Sequence, residues 1–570
     1  MRWVLPRDSE TDANGLAAAL KLHPLAAQVL VNRGHRTEEQ ASAFLSDKLS
    51  DLPDPSSMKR MSKAVERLCR ALRERQKVTL YGDYDVDGVC STSLLYLFLR
   101  SLGAEVATYI PRRLGEGYGL NAKAIEKIAA DGSSLVVTLD CGITSVSEVA
   151  RANQLGLDVI IVDHHQVSGE MPPALAILNP HQPGCGYPTR HLCAAGVAFN
   201  LCLGLRRQLR SENGFNGRKE PNLRSMLDLV ALATVADVMP LTGANRILVK
   251  HGLEVLACAE RPGIRALKEV SGLAANAEVS AGTVGFRLAP RINAAGRLDD
   301  ASVGLRLLCC ESASEARSFA EALDAANGER REIEQEILQG ALLQAEKRGP
   351  GTKGLVLASD GWHPGVIGIV ASRVVERFHR PTVMVAFTDG LGRGSARSIE
   401  GFHLFKALQE CSQHLAKFGG HQHAAGLAVE RERLPAFCDA FEQTAARQLS
   451  DDDLVPRCRV DACISISQLD ESAVRGVEVL GPFGNGNPEP VFATRQLRCR
   501  PRVLAGRKRD DAHLKLSFET APQLSAIGFG MGNQVELAQS PVDLAYQLRL
   551  EQWMGTSRIS LRLRDIRVAD

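Results

Sequence analysis

From Lys77 onward the chain alternates short β-branched runs with helical stretches, and this alternation limits the available folds more than any other feature. The runs read "KVTLYG", "AEVATYIP", "SLVVTLDCG", "LDVIIVDHH" and "AILNPH". Strands that alternate with helices predict an α/β fold, a parallel sheet with helices on both faces. In such sheets the polar residues at the carboxyl ends of the strands collect on one rim, where ligands bind. Here those ends carry Asp83-Tyr84-Asp85, Asp140-Cys141-Gly142 and Asp163-His164-His165. Three strands therefore deliver acids or histidines to one rim.

The stretch "GDYDVDG" puts Asp83, Asp85 and Asp87 at every second position. Alternate side chains of an extended segment share a face, so these carboxylates repel one another unless a cation lies between them. Asp163-His164-His165 closes an apolar run, and Asp and His supply the oxygen and nitrogen donors that Mn²⁺, Zn²⁺ or Fe²⁺ accept. Taken alone, the triplet reads more readily as a hydrogen-bonded turn. The ordered set outweighs that reading: an acid-rich strand end, Asp140, the triplet, then Asp237 inside the apolar "ALATVADVMPL". A buried unpaired carboxylate is costly, and clustered donors mark metal chemistry. A second set, His181, Cys185, His191 and Cys193, matches no common zinc spacing and reads as structural.

At 570 residues the chain exceeds what one hydrophobic core organises. The segments expected are an N-terminal helical extension (1–70), the α/β unit (71–300), a connecting helix (301–350), a second α/β unit (351–450) and a small barrel of the OB type (451–570). The sequence shows no apolar run of bilayer-spanning length and no signal-peptide pattern, and its fourteen cysteines lack a CxxC. These features point to a cytoplasmic protein with free thiols. The net charge of +2 hides a local excess, since "TRQLRCRPRVLAGRKRDD" holds Arg495, Arg498, Arg500, Arg502, Arg507, Lys508 and Arg509. Such a stripe is the footprint of nucleic-acid backbone binding. Phe483 and Trp553 either stack on bases or fill the core.

"GDYDVDG", "LDCG", "VDHH" and "ATVADVMPL", in this order, resemble the motifs of the DHH phosphoesterases. "APRINAAGRLDDA", "GWHPGVIGIVASRV", "GRGSARS" and "GGHQHAAG" resemble those of one branch, the bacterial RecJ single-strand DNA exonucleases, and the likeness runs from about residue 70 to the end. The resemblance implies a DHH catalytic domain, a DHH-associated domain and two divalent ions, Mn²⁺ or Mg²⁺. One ion would take Asp83, Asp85 and Asp140, and the other Asp87, Asp140, His164 and Asp237. Some relatives carry histidine in the first motif where this chain has aspartate. Asp163 is expected to orient the His164 ring and His165 to donate to a phosphate oxygen, with Asp85, Asp140, His164 and His165 carrying the catalysis.

By the same resemblance, Ser395, Arg397 and Arg113, or Arg112 in its place, anchor the terminal phosphate. Arg287, Arg291, Asn293 and Arg297 steady the scissile phosphate beside the metals, and His421 contacts substrate. The implied function is 5′-to-3′ hydrolysis of single-stranded DNA to nucleoside 5′-monophosphates in repair and recombination, with a single-strand-binding protein and a RecQ-type helicase as protein partners. One alternative is a DHH phosphodiesterase for small oligonucleotides or cyclic dinucleotides, although such substrates need no basic C-terminal barrel. Another is a DNA-binding scaffold with a decayed site, which the complete set of acids and histidines opposes.

Overall fold

The computed structural model describes residues 1–6, 10–112, 119–167, 169–215, 217–298, 300–506, 512–553 and 556–569. It divides into two compact units, one of Leu5–Asp324 with Val460–Asp570, the other of Met1–Val4 with Ala325–Arg459.

In the larger unit, Val78–Gly82 (β1), Val106–Tyr109 (β2), Leu135–Leu139 (β3), Asp158–Val162 (β4) and Ala176–Leu178 (β5) form a sheet in the order β2-β1-β3-β4-β5. Every pairing in it is parallel. A parallel sheet is covered on both faces, and two clusters of buried residues provide the cover. Met61–Arg73 (α1), Val86–Ser101 (α2) and Ala194–Ser211 (α5) build one, through residues such as Leu68, Phe98 and Phe199. Ala122–Ala130 (α3) and Val146–Gln154 (α4) build the other, through Ile125, Ile128 and Val149. Leu227–Ala236 (α6), Gly243–Cys258 (α7) and Ala289–Leu298 (α8) follow; Ala313–Lys347 (α9), a continuous helix of 35 residues, begins in this unit and from Ala325 belongs to the smaller one.

In the smaller unit, Leu355–Ser359 (β6), Thr382–Thr388 (β7), Leu391–Arg397 (β8), Lys417–Gly420 (β9) and Ala424–Glu430 (β10) form a mixed sheet in the order β9-β10-β8-β7-β6. Only β6–β7 is parallel, and Ile367–Phe378 (α10) packs against this sheet.

The C-terminal sheet of the larger unit comprises Ala462–Cys463 (β11), Phe492–Leu497 (β12), Cys499–Leu504 (β13), His513–Phe518 (β14), Ser525–Gly528 (β15), Val542–Trp553 (β16) and Thr556–Val568 (β17). Its order is β11-β12-β16-β17-β15-β14-β13, and among the described residues no ladder joins β11 to β13, so no closed barrel is seen. One face is apolar and packs against the first helices of the chain: Leu16, Leu25, Leu30 and Ala41 share a core with Phe492, Leu514, Leu516 and Leu561. Arg33 ties this packing down, bonding Asp461 at 2.8 and 3.1 Å and Asn487 at 2.9 Å. Phe483 packs against the same core. Among the described residues no helix is long and apolar enough to cross a membrane.

Candidate metal centre

Three strands end alike. Asp83, Asp140 and Asp163 each stand one residue beyond β1, β3 and β4, and their backbone N–H groups bond to the carbonyls of Leu139, Val162 and Leu178 at 3.1, 3.0 and 3.0 Å. The ladder thus runs one residue past each strand and fixes three acids on one rim. Asp140 sits there at φ +65°, a backbone region that aspartate tolerates better than most residues. Asp85 caps α2, accepting from the N–H groups of Asp87 and Gly88 at 2.9 and 3.1 Å. Asp87, in the first turn, accepts from Ala194 and Ala195 at 2.6 and 2.8 Å, so the N-terminus of α5 faces its charge.

These positions bring the six expected ligands together. Donor atoms of Asp83, Asp85 and Asp140 lie within 4.8 Å of one another, as do those of Asp87, His164 and Asp237, and a third such group joins Asp140 to His164 and His165. His164 Nε2 is 3.1 Å from Asp140, 3.4 Å from Asp237 and 3.6 Å from Asp87. Among the described residues, His164 and His165 are the only ion-pair partners of Asp87, Asp140 and Asp237. Burial and the neighbouring Asp85 push Asp87 up to about 7. Burial, Asp87 and Asp85 push Asp237 up to about 9. Asp140 is driven well above the usual range by burial and by Asp87, Asp85, Asp83 and Asp237. Burial, with His165 beside it, takes His164 down to about 4.

A site that resists ionising its acids and protonating its histidine calls for a cation with neither burden. Asp237 Oδ2 is buried and has no hydrogen-bond partner. Oxygen and imidazole donors of this kind suit a divalent ion such as Mn²⁺, and the residues fit one.

Asp163 departs from expectation. It does not hold the His164 ring; its Oδ1 bonds His165 Nδ1 at 2.8 Å and the backbone N–H groups of His164 and His165 at 2.7 and 3.1 Å. Burial alone would raise Asp163, but the hydrogen bond and charge of His165, with His164 adding, bring it down to about 2. Burial opposes protonation of His165, and the bond to Asp163 overrides it, lifting the ring to about 9. Asp163 and His165 thus favour one another's charged forms, whereas His164 is pushed the other way.

The helix α8 borders this rim. Asn293 accepts from Val86 N–H at 3.1 Å, and a Cβ on Gly296 would fall 2.4 Å from the Tyr84 carbonyl oxygen, so only glycine permits the approach. Arg291 does not turn to the rim as expected. It pairs with Asp324 at 2.8 Å and donates to the Arg287 and Val270 carbonyls, which commits it to the fold. Arg287 is exposed and donates to the Ser271 carbonyl, and Arg297 is half-buried at the end of α8. Arg113, proposed for the phosphate anchor, lies outside the described residues, while Arg112 is exposed. Two features escaped the sequence reading. Phe286 is 87% exposed on the π-helical turn Val284–Leu288 just before α8, and Val238, directly after Asp237, is 63% exposed at φ +56°. Neither exposure nor a left-handed backbone is legible from residue type.

In the smaller unit Arg397, largely buried, donates to Ser395 Oγ at 3.3 Å and to the Ala396 carbonyl at 2.8 Å. Burial lowers its pKa, and among the described residues no carboxylate pairs with it. A Cβ on Gly368, in the first turn of α10, would lie 2.8 Å from Ser395 Oγ, so this serine and Arg397 face the start of a helix. The turn between β9 and β10 adjoins them, because Ala424 pairs with Arg397 and Gly426 with Ser395. His421 and His423 are exposed on that turn.

The basic residues of the C-terminal sheet are gathered by register more than by sequence. Arg502 pairs with Lys515, Lys515 with Ile527, and Ile527 with Arg562, so three exposed cations cross four strands in one row. Arg562 also lies over the half-exposed Phe529 ring at 5.5 Å. Arg507, Lys508 and Arg509 lie outside the described residues, as does the side chain of Trp553. His181, Cys185, His191 and Cys193 form no metal-ligand group among the described residues. Cys193 instead caps α5 beside Thr234, 3.3 Å away.

Fold and donor set together define a class, an α/β domain that gathers aspartates and histidines at its strand ends to hold divalent metal. The DHH family N-terminal domain matches residues 77–234, the DHHA1 domain 351–447 and the RecJ OB domain 460–565. The single-stranded-DNA-specific exonuclease RecJ of Bacillus subtilis is 37% identical, over 100% of this chain and 71% of its own length. That of Escherichia coli K12 is 38% identical, over 96% of each chain. The crystal structure of RecJ from Thermus thermophilus with Mn²⁺ matches at a TM-score of 0.84 and 33% identity, over 100% of this chain and 80% of that one. The same protein has also been solved with Mg²⁺. The chain belongs to the RecJ family of DHH phosphoesterases.

Proposed function

We propose that this protein is a single-stranded-DNA-specific exonuclease that hydrolyses strands from the 5′ end to nucleoside 5′-monophosphates, with Mn²⁺ or Mg²⁺ as cofactor. The observation that carries the reading is the six-residue donor cluster, Asp83, Asp85, Asp87, Asp140, His164 and Asp237, in a chain of the RecJ family. Two divalent ions held there would lower the pKa of a water and offset charge on the attacking and leaving oxygens of a phosphodiester. Asp140, whose carboxylate neighbours both Asp83 with Asp85 and His164, would serve both ions. His165, its Nδ1 bonded to Asp163, donates to a phosphate oxygen at the rim. Asn293 and Arg297 border the scissile phosphate, and Phe286 offers a face for base stacking.

In the smaller unit Ser395 and Arg397 receive the terminal phosphate, and His421 adjoins them. The basic row Arg502, Lys515 and Arg562 follows the strand's backbone. Small cyclic or oligomeric substrates would have no use for that row, which is why DNA is preferred. Repair and recombination, with a single-strand-binding protein and a RecQ-type helicase as partners, are the setting that this reading implies. Digestion of end-labelled single strands in Mn²⁺, with 5′ or 3′ ends blocked in turn, tests it. A 5′ block should stop release of mononucleotides and a 3′ block should not.

A further inference from the structure

The turn "GPFGNGNPEP" belongs by sequence to the C-terminal domain, and the metal chemistry gives it no part. In the structure it lies against the segment that follows Asp237. Helix α6 closes there in a Schellman pattern, with Val238 N–H bonding to Val235 at 3.2 Å and Met239 N–H to Thr234 at 3.0 Å. The left-handed position of that closure normally takes glycine. Here Val238 occupies it at φ +56°, an outlier for a β-branched residue. Such strain persists only where the surroundings over-determine it.

Those surroundings are the C-terminal turn. Asn485 Nδ2 donates to the Val238 carbonyl at 2.6 Å, and the Asn485 carbonyl accepts from Leu241 N–H at 2.7 Å. Gly486, at φ +71°, approaches so closely that a Cβ on it would fall 2.9 Å from Pro240 Cβ. Asn245 holds the Pro240 carbonyl from the other side at 3.1 Å. Behind the turn, buried Arg246 donates to the carbonyls of Val479 and Gly481 at 3.0 and 2.7 Å. Among the described residues, Asp237 has no equivalent brace of its own. Its Oδ2 lies 3.4 Å from His164 Nε2 and lacks a hydrogen bond, so the direction of its carboxylate follows from the backbone of Asp237 and Val238.

We propose that Asn485 is a positioning residue for the metal centre: it fixes Val238 in its strained turn and so aims Asp237 at the donor cluster, making the C-terminal domain part of the catalytic geometry. This rests on the reading of Asp237 as a metal ligand.

The test uses full-length, metal-free protein carrying Asn485→Ala, or Asn485→Asp, which keeps the size of the side chain but removes the donor to Val238. Mn²⁺ is titrated by calorimetry, and melting temperature, kcat and KM for single-stranded DNA are measured alongside. Loss of a group that orients a ligand typically weakens metal binding by about tenfold or more. Both variants should therefore lose roughly tenfold in Mn²⁺ affinity, with kcat restored by excess Mn²⁺, KM unchanged and melting of the metal-free protein unaltered. Unchanged Mn²⁺ affinity overturns the proposal, as does a loss that merely accompanies a fall in melting temperature. Should the wild type itself bind no Mn²⁺, the reading of the cluster as a metal site fails instead.

Discussion

Asp163 places its two oxygens on four donors, the ring and backbone of His165, the backbone of His164 and, through Oδ2, Ile143 N–H at 3.0 Å. Its carboxyl is held at about 2, below the ordinary 3.8. A depressed carboxylate contributes stability above its unfolded pKa and loses it as pH falls through the folded one. The shift corresponds to about 2 kcal/mol, lost between roughly pH 4 and pH 2. Asp163→Asn should remove that part of the acid dependence, which urea unfolding of the metal-free protein across this range would reveal as a flatter curve. Asp87 and Asp237 lie the other way, at about 7 and about 9. A metal takes only ionised carboxylates, so near pH 6.5 Mn²⁺ binding should release protons and tighten as pH rises. Calorimetry in two buffers of different ionisation enthalpy measures this, and equal heats would contradict it. His164→Ala should cost hydrolysis roughly a thousandfold or more, because a lost catalytic metal is worth several kcal/mol.

Between elements, the contact that sets the rim is α8 against the turn of Asp83 to Asp85. Gly296→Ala would drive a methyl group to 2.4 Å from the Tyr84 oxygen. Backbone cannot yield as a flexible side chain can, so a cost of about 1–3 kcal/mol is expected, read as a fall in denaturation midpoint together with a loss of kcat. In the smaller unit, β8 and the start of α10 hold a guanidinium with no carboxylate partner among the described residues. A charge-assisted phosphate contact is worth roughly 1.5–3 kcal/mol. Arg397→Ala should accordingly shrink the preference for 5′-phosphate over 5′-hydroxyl strands by about ten- to a hundredfold, and an unchanged ratio of kcat/KM values would remove this pocket from the reading.

For the whole molecule, the proposed reading gives the C-terminal domain two tasks. On that reading its exposed basic row would hold the strand, and each phosphate neutralised adds about 0.7 to the salt slope on single strands. Replacing Arg502, Lys515 and Arg562 by glutamine should lower that slope by about 2 while leaving kcat on a saturating short oligonucleotide intact. Removing residues 460–570 is a different matter. It strips Asp461 from Arg33, two carbonyl acceptors from buried Arg246, and Asn485 from Val238. Each lost bond to a charged group costs about 1.5–3 kcal/mol. The truncated chain should melt at lower temperature and show no Mn²⁺-dependent hydrolysis even of a saturating short strand; activity at the wild-type rate would mean that the two tasks are independent after all.

The strand–helix alternation and the acids at its strand ends are local features, because period and polarity are written residue by residue. From them the parallel sheet, its rim and the candidate donors Asp83, Asp85, Asp87, Asp140 and His164 were legible in the sequence, and Asp237 from its place in an apolar run. What remained hidden depends on who meets whom. Arg291 reads as a phosphate contact until Asp324 is found 2.8 Å away, and Asp163 reads as the support of the His164 ring until it is found bonded to the ring of His165. The cationic row from Arg502 to Arg562 exists only through strand register, which brings together residues sixty positions apart. Likewise, Val238 takes a glycine's conformation because a turn some 250 residues later bonds its carbonyl. Residue type sets which interactions a side chain is able to make; only the tertiary fold, by setting distances between remote segments, decides which of them are made.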